Sequence, residues 1–329
     1  MRSLLFKLHF TAPLHIGSSE NARSQEGSSM TFCADTLFSA LCCTAAGGAD
    51  QTDAERLCNA VREGRLWLSD SFPFCGERLY LPKPFIRRVA TEAQAVSERK
   101  AAKKLRYIPI DQLREYLDYL AGKGSFSPAA VHQSFGIAVQ STRAAVFENE
   151  DTVPYSVGSF SFAEGCGLYV IVRCEDKLVP LLEMLMQQLG IGGIGGKISS
   201  GYGSFVAETL PFDGNAGGQL GLLYSMLTAE EADYFITLSA SLPQEEELAG
   251  VVGDAEIAYS LIRRAGFVQS FAYGGEPLKK KTQHFFCAGS AFRRRYAGAL
   301  YDVAPRDEQW TRPHPVLRYG KAMMMGVKL

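Results

Sequence analysis

The segment Gly190-Ile-Gly-Gly-Ile-Gly-Gly-Lys-Ile-Ser-Ser-Gly-Tyr-Gly-Ser-Phe205 contains seven glycines and one lysine in sixteen residues. Glycine adopts positive φ at little cost and lets the backbone approach a ligand without obstruction by a side chain. Successive exposed backbone amides form a concave anion site, and Lys197 adds a formal positive charge to it. The segment therefore predicts a site for a phosphate-bearing ligand.

Two familiar phosphate loops do not fit this segment. A Walker A loop is excluded because Ile191 and Ile198 stand where its first glycine and its Ser or Thr are required. The spacing G-x-G-x-x-G does occur from Gly190 to Gly195, but a Rossmann turn follows a strand and opens a helix. Here the loop follows a predicted helix, Lys177–Leu189, and precedes a predicted strand, Gly203–Leu210. The simplest alternative, a flexible Gly/Ser linker, is disfavoured by these two flanking elements.

The order helix, glycine loop, strand resembles the repeat-associated mysterious proteins (RAMPs), the RNA-binding superfamily of CRISPR effector complexes. Other segments match in the same order along nearly the whole chain: Pro13–Gly17, Asp35–Leu41, Leu81–Phe85, Val153–Val157, Gly167–Val170, Gly289–Phe292 and His314–Lys321. Together they resemble the fourth subunit of the type III-A (Csm) complex. The C-terminal His-Pro-Val-Leu-Arg-Tyr-Gly-Lys is the segment that points to this subunit.

The resemblance implies an α+β fold of two ferredoxin-like (RRM-like) domains with antiparallel sheets. The first, residues 1–211, would carry the glycine-rich loop and a hairpin insertion, and the second, residues 219–329, would be smaller. The Pro/Gly/Asn-rich stretch 211–218 is the best candidate boundary. The elements predicted in the first domain follow a β-α-β-β-α-β pattern with insertions.

Individual elements of that pattern follow from side-chain periodicity. Leu4–Phe10 reads as a strand, and Asp35 is the predicted N-cap of a helix that ends at Gly47-Gly48. Ser156–Phe162 and Gly167–Val172 alternate like paired strands. Gly190 is the predicted end of the helix before the glycine loop.

Charge is segregated along the chain although its formal net value is only −1. From Lys83 to Arg106 there are eight basic residues and two acidic ones, and from Ser260 to the C-terminus thirteen and four. Such clusters create local positive fields on a nearly neutral protein, which favours a polyanionic partner. The alternative is that they are solvated surface.

The eight cysteines show neither C-x-x-C nor Cys–His ligand spacing, which predicts free thiols and no zinc site. The N-terminal segment is too short and too charged for a secretory signal, and no run approaches a membrane span in length. We therefore expect a cytoplasmic protein without a membrane partner.

The resemblance implies that the chain holds the 5′ handle of the crRNA, with target RNA nearby. It also implies contacts to the large cyclase/polymerase-like subunit and to a backbone RAMP subunit. A hairpin within residues 122–149 would wedge at the guide–target duplex, with Ser141-Thr-Arg143 as a candidate tip. The predicted RNA-binding residues are His15, Gly17, Lys83, Arg143, Gly192, Gly193, Gly195, Gly196, Lys197, Ser199, Ser200, Gly201, Tyr202, Lys280, Lys281, Ser290 and Arg318.

Catalytic groups are not evident in the sequence. No pair of aspartates lies beside a glycine turn, so neither a metal nor another cofactor is predicted. His15, at the turn after the first strand, lacks an evident partner for proton transfer. The sequence thus favours a non-catalytic subunit. The alternatives are a metal-independent endoribonuclease that processes precursor crRNA with His15 and a nucleotide-dependent enzyme built on the glycine loop.

Overall fold

The structure is a computed structural model that describes residues 1–17, 27–48, 50, 52–87, 96–145, 153–270, 278–306, 310 and 314–329. The strands are β1 (Arg2–Phe10), β2 (Leu66–Leu68), β3 (Phe72–Cys75), β4 (Arg78–Pro82), β5 (Tyr107–Pro109), β6 (Gly136–Ala145), β7 (Val153–Phe162), β8 (Cys166–Cys174), β9 (Phe205–Phe212), β10 (Tyr234–Thr237), β11 (Leu261–Arg264), β12 (Gln283–Phe286), β13 (Ala291–Phe292), β14 (Leu300–Asp302), β15 (Leu317–Tyr319) and β16 (Met324–Val327). The helices are α1 (Ala34–Ala46), α2 (Thr52–Arg62), α3 (Val96–Lys104), α4 (Leu113–Leu120), α5 (Val179–Gly192), α6 (Gly218–Thr228) and α7 (Glu245–Val252). None of the helices in these ranges is long and apolar enough to cross a membrane.

The largest sheet has seven strands in the order β5-β4-β3-β8-β1-β9, with β2 paired to β8 as well. All of its pairings are antiparallel. Along the chain, β1, α1, β2–β3, β8, α5 and β9 follow the predicted β-α-β-β-α-β order. The predicted α+β class with antiparallel sheets is therefore confirmed.

From α6 onward, the described residues form a three-stranded sheet, β13-β10-β16, and the hairpins β11–β12 and β14–β15. A ferredoxin-like topology there stays a prediction.

Apolar residues cover both faces of the large sheet. In β1, Leu5 packs on one face with α4 and strands β3–β5, whereas Leu4, Phe6 and Leu8 pack on the other with α1, α2 and α5. This alternation follows from the two-residue period of a strand. Because both faces are buried, a strand such as β8 is apolar along most of its length.

The part of the chain through β9 (the N-terminal half) shares its core with the part from α6 onward (the C-terminal half). One cluster joins Leu5 and Tyr169 to Leu223, Ile236 and Met325. Tyr319 of β15 is fully buried in the other cluster. Its hydroxyl accepts a hydrogen bond from the Leu68 amide at 2.8 Å. The division into domains 1–211 and 219–329 stays a prediction, and the described packing is continuous across it.

A buried ion pair also joins the two halves. Asp35, in the first turn of α1, accepts two hydrogen bonds from the Arg264 guanidinium at 2.9 and 2.6 Å. Burial disfavours the charged guanidinium, but the Asp35 carboxylate raises the pKa of Arg264 above its usual value. Asp35 is thus not the N-cap of α1, and that prediction is wrong. The residue at that position is Cys33, and the Ala34 amide instead donates to Asp70 at 2.7 Å.

Two other predictions about elements are corrected, and one helix was missed. Ser156–Phe162 and Gly167–Val172 both lie in strands, but β7 pairs with β6, and β8 pairs with β1, β2 and β3. Gly190 does not end its helix, which continues to Gly192. A Cβ at Gly190 would overlap the Phe205 carbonyl oxygen, so this glycine permits close packing of α5 on β9. Helix α6 was not predicted, because its glycine-rich start reads as a loop.

We predict that Arg264→Ala destabilises the protein strongly, because it leaves the Asp35 carboxylate buried without its main partner. Removing one member of a buried pair costs about 3–5 kcal/mol, and the lower end is expected because Arg318 stays 3.8 Å from Asp35. Urea denaturation followed by circular dichroism measures this free energy. Arg114→Ala is the control, because it breaks an exposed pair with Asp118 and should cost at most about 1 kcal/mol. Equal, small effects of the two changes would contradict the prediction.

Candidate nucleic-acid interface

The glycine loop is an ordered turn between α5 and β9. Gly193 ends α5 with positive φ, Ile194 is buried, and residues Ile198–Ser200 form a short 3-10 turn. The loop closes on itself through the Ile194 amide, which donates to the Gly203 carbonyl oxygen at 3.0 Å. These internal contacts argue against a flexible linker.

The turn after β1 holds the loop from outside. The Gly196 amide donates to the His15 carbonyl oxygen at 2.8 Å, and the Gly203 amide donates to the Pro13 oxygen at 2.9 Å. Gly195 has a φ of +99°, and a Cβ there would overlap the same His15 oxygen. The glycines at 195 and 203 are therefore required by the fold of the protein itself.

The side chain of His15 ties this turn to the β6–β7 hairpin. His15 is buried, and its Nδ1 lies 2.6 Å from the Gly158 carbonyl oxygen. Since a carbonyl oxygen can only accept, Nδ1 carries the proton in this contact. The neighbouring amides of Leu14 and Phe160 each donate to the other residue's oxygen at 2.9 and 2.8 Å. The turn after β1, the glycine loop and the hairpin thus meet at His15.

Two loop side chains contact the hairpin. The Arg143 guanidinium donates to the Tyr202 hydroxyl at 3.1 Å, and hydrogen bonds from Ser141 and then Arg143 lower the pKa of that phenol. The ammonium of Lys197 lies 4.8 Å from the centre of the Tyr155 ring. Tyr202 is buried, which agrees with a packing role for its ring. Lys197 is half-buried and keeps part of its side chain at the surface.

The prediction that Ser141-Thr-Arg143 forms the hairpin tip is wrong. These residues lie within β6, paired with Val157, Ser156 and Tyr155 of β7. The connection between the two strands, residues 146–152, lies outside the described residues. Ten residue pairs form the ladder, so Arg143 is set back from the end and faces Tyr202.

One side of the loop faces solvent. Four residues of the loop are exposed: Gly192, Ser199, Ser200 and Gly201. A Cβ atom at Gly192 or Gly201 would meet no neighbour within 4 Å. The amides of Lys197, Ile198 and Ser199 have no hydrogen-bond acceptor among the described residues. Successive N–H groups without an internal acceptor, beside a lysine ammonium, attract an anion.

A second basic feature lies in the C-terminal half. Four cationic residues line a cavity of about 480 Å³: Lys279, Lys280, Lys281 and Arg306. Burial, and then the nearby Arg318 charge, lower the pKa of Lys280, so an added anion would relieve repulsion between like charges. We call this feature the lysine cavity.

The remaining predicted site residues make contacts within the protein. Ser290 is fully buried and donates to the Cys287 oxygen at 2.7 Å. Arg318 is buried and donates to the Lys281 oxygen and the Gln283 side chain at 2.8 and 3.1 Å. Lys83 donates to the Ala102 oxygen at 2.8 Å, and burial lowers its pKa. Gly17 forms a bridge with Ser28 and has open space at its Cα. The structure therefore does not bring Ser290, Arg318 or Lys83 to the exposed side of the loop.

Three contributors to these features were missed in the sequence. Tyr155 stands in Val153-Pro-Tyr-Ser-Val157, a segment that carried the resemblance but received no role. Arg306 follows Pro305 and is isolated from the other basic residues in sequence. Gly158 acts through its backbone oxygen, for which no sequence signal exists. Only the register of β6 with β7 brings Tyr155 to Lys197.

The fold is one that occurs in a type III-A CRISPR-Cas interference complex. Two solved structures resemble the chain over nearly its whole length. One is the "Csm1-Csm4 cassette in complex with cA4", with a TM-score of 0.62, 19% identity and coverage of 100% of this chain and 99% of that chain. The other is the "Csm3-Csm4 subcomplex in the type III-A CRISPR-Cas interference complex", with a TM-score of 0.63, 15% identity and coverage of 99% of each chain.

Sequence comparison gives the family. The family model "CRISPR Csm4 C-terminal domain" matches residues 230–327. A Mycobacterium tuberculosis protein described as "CRISPR system Cms protein Csm4" is 30% identical over 331 residues, covering 99% of this chain and 98% of that protein. A Streptococcus thermophilus protein of the same description is 29% identical over 334 residues, covering 97% and 100%. The chain belongs to the Csm4 family.

We predict opposite effects for alanine at two glycines of the loop. Gly195→Ala should destabilise the protein by about 1–3 kcal/mol, because the new Cβ meets the His15 oxygen at a positive φ. Gly192→Ala should be neutral or stabilising by up to about 1 kcal/mol, because position 192 is helical and open. Thermal and urea unfolding measure both values. Equal effects would mean that the turn after β1 does not constrain the loop.

Proposed function

We propose that this chain is the non-catalytic subunit that holds the 5′ handle of the crRNA in a type III-A effector complex. It docks on the large subunit and contacts the first backbone subunit. Membership of the Csm4 family supports this role. So do the solved relatives, which occur with Csm1 in one structure and with Csm3 in another.

The observation that carries the proposal is the exposed side of the glycine loop. The loop is fixed by His15, Pro13 and the hairpin, while Gly192, Gly201 and the amides around Ser199 stay open to a ligand. A fixed loop loses little conformational entropy when it binds, and bare backbone admits a phosphate closely. Contacts of this type position an RNA backbone and do not read its bases.

The lysine cavity is a second place where the same RNA strand would bind. RNA affinity depends largely on cations that replace the counterions of the phosphates, and this cavity concentrates four cationic residues. Lys280 and Lys281 keep their proposed role as phosphate contacts. The other predicted residues at the loop act indirectly, because they shape the loop and its contact with the hairpin: Arg143, Gly193, Tyr202 and His15.

We predict that Gly192→Val and Lys197→Ala weaken crRNA retention without unfolding the protein. Valine at 192 meets no protein atom within 4 Å at its Cβ, so a loss of RNA would report obstruction of the RNA. Lys197→Ala removes a charge-assisted contact and should weaken binding roughly tenfold or more. Retention is measured by isolating the assembled complex over a salt series and quantifying its RNA.

Matched controls separate the loop from general effects of substitution. Gly250→Val places valine at an exposed, open helical glycine of α7, and Lys177→Ala removes an exposed lysine near the other end of α5. Both control proteins should retain crRNA as the parent does. If Gly192→Val and Lys197→Ala also retain it, the loop is a structural element and the proposal fails.

The surroundings of His15 support a non-catalytic role. Its ring is buried, and its described hydrogen bond goes to a backbone oxygen. General acid–base catalysis requires a group within reach of the reacting proton. The ring instead packs against Gly196, where a Cβ would lie 2.7 Å from its Cδ2.

We predict that the chain does not cleave repeat RNA at a defined site, with or without divalent metal. Denaturing gels of labelled repeat RNA, incubated with the purified chain and with the complex, test this. His15→Ala should leave the RNA pattern unchanged, as should His132→Ala at an exposed control histidine. Cleavage at one site that disappears only in His15→Ala would establish the endoribonuclease alternative.

A further inference from the structure

Two cysteines lie side by side in the large sheet. Cys75 is the last residue of β3 and Cys166 is the first residue of β8, and the two are direct partners in the pairing of these strands. Their sulfur atoms are 3.0 Å apart, and both are free thiols. The proposed RNA-binding function gives this pair no role.

The backbone at this position suits a covalent bond between the two side chains. The Gly76 amide donates to the Gly165 carbonyl oxygen at 2.8 Å, one position further along the strands. Cys75 and Cys166 therefore occupy a non-hydrogen-bonded position, where the Cα atoms of paired residues are about 4.5 Å apart. Disulfides span Cα distances of about 4.4–6.8 Å, so the sulfur atoms need to approach by only about 1 Å.

The two thiols differ in reactivity. The Cys166 thiol donates a hydrogen bond to the Cys75 sulfur. Burial, and then this hydrogen bond, raise the pKa of Cys166 to about 12, so Cys166 keeps its proton at neutral pH. A donated hydrogen bond favours negative charge on its acceptor, which makes Cys75 the nucleophile of the pair. Cys75 is also the more accessible, because it is half-buried and is followed by the exposed residues Gly76 and Glu77.

The contact between the sulfur atoms argues against a metal site. Zinc binds cysteine sulfur at about 2.3 Å, so sulfur atoms 3.0 Å apart would close the S–Zn–S angle to about 80°, far below the tetrahedral value. Within the described ranges, no group of three or more His, Cys, Asp or Glu side chains is arranged to hold a metal ion. The chemistry that fits this pair is oxidation.

We propose that Cys75 and Cys166 form a redox modification site, which hydrogen peroxide converts into a reversible disulfide. The Cys75 sulfur attacks one peroxide oxygen, the O–O bond breaks, and Cys75 becomes a sulfenic acid as the first water is released. The Cys166 sulfur then attacks the Cys75 sulfur, and the sulfenic hydroxyl leaves with the Cys166 proton as a second water. Two thiols are oxidised and one peroxide is reduced to two waters. A dithiol reductant reverses the change.

The disulfide closes a loop around everything that the chain inserts between β3 and β8. The two cysteines are 91 residues apart in sequence, and residues 76–165 contain β4 to β7, α3 and α4. A cross-link that closes a long loop restricts the unfolded chain and so favours the folded one. Oxidation therefore fastens the insertion, including the β6–β7 hairpin, to the central strand β8.

Limited oxidation of the purified chain tests this proposal without any RNA. Hydrogen peroxide is added, removed with catalase, and the remaining thiols are alkylated under denaturing conditions. Peptide mapping without reduction should find the Cys75–Cys166 disulfide before any other cysteine is modified, with the loss of two of the eight thiols. The midpoint of thermal unfolding should rise by roughly 5 °C and return to its starting value in dithiothreitol.

Two variants separate this pair from the other cysteines. Cys75→Ser should show neither the disulfide nor the thermal shift. Cys58→Ser is the matched control, because Cys58 belongs to a second hydrogen-bonded pair, with Cys42, and its loss should leave both results unchanged.

The map of the parent protein decides the outcome even if Cys75→Ser does not fold. If peroxide leaves Cys75 and Cys166 unlinked in the parent, or links Cys42 to Cys58 first, the proposal is overturned. A thermal shift of the same size in folded Cys75→Ser overturns it as well.

Discussion

The buried carboxylate of Asp35 constrains how the two halves of the chain meet. A charge removed from water must be paired, and here both cationic partners, Arg264 and Arg318, come from the C-terminal half. Arg318 in turn donates to the Lys281 backbone, so the position of the lysine cavity depends on the same cluster. Asp70 lies beside this cluster and holds the amides of Ala34 and Ala240 from the two halves together. The surface proposed to bind RNA is thus placed by buried polar contacts.

The glycine loop illustrates a division between glycines that serve the fold and glycines that stay open for a ligand. Gly193, Gly195 and Gly203 have positive φ, and a Cβ at each would meet protein backbone. Gly192 and Gly201 have open space around them. A single glycine-rich segment therefore combines an inner side that is fastened to the turn after β1 with an outer side that has room for a ligand close to the backbone.

The sequence predicted the elements whose signals are local. The apolar pattern of β1 and the glycine stop of α1 at Gly47 are both present in the structure. It did not predict which strands pair, because β7 and β8 have similar patterns and only tertiary packing puts β7 beside β6. It also misjudged Asp35, since an aspartate before an apolar helix reads as a cap unless the distant Arg264 is known. The motif around Arg318 and Tyr319 did identify the family, and its buried contacts show why those residue types are needed.

Photo-cross-linking within the intact complex can show whether the outer side of the glycine loop contacts the 5′ handle of the crRNA. The photoreactive amino acid p-benzoylphenylalanine would replace Ile198, which is 40% exposed on the loop, or Leu248, which is 42% exposed on α7. We expect irradiation to attach crRNA, through its handle nucleotides, to the protein substituted at 198 and not to the protein substituted at 248. Assembled complexes that contain crRNA but give no cross-link from position 198, or cross-links only outside the handle, would contradict it.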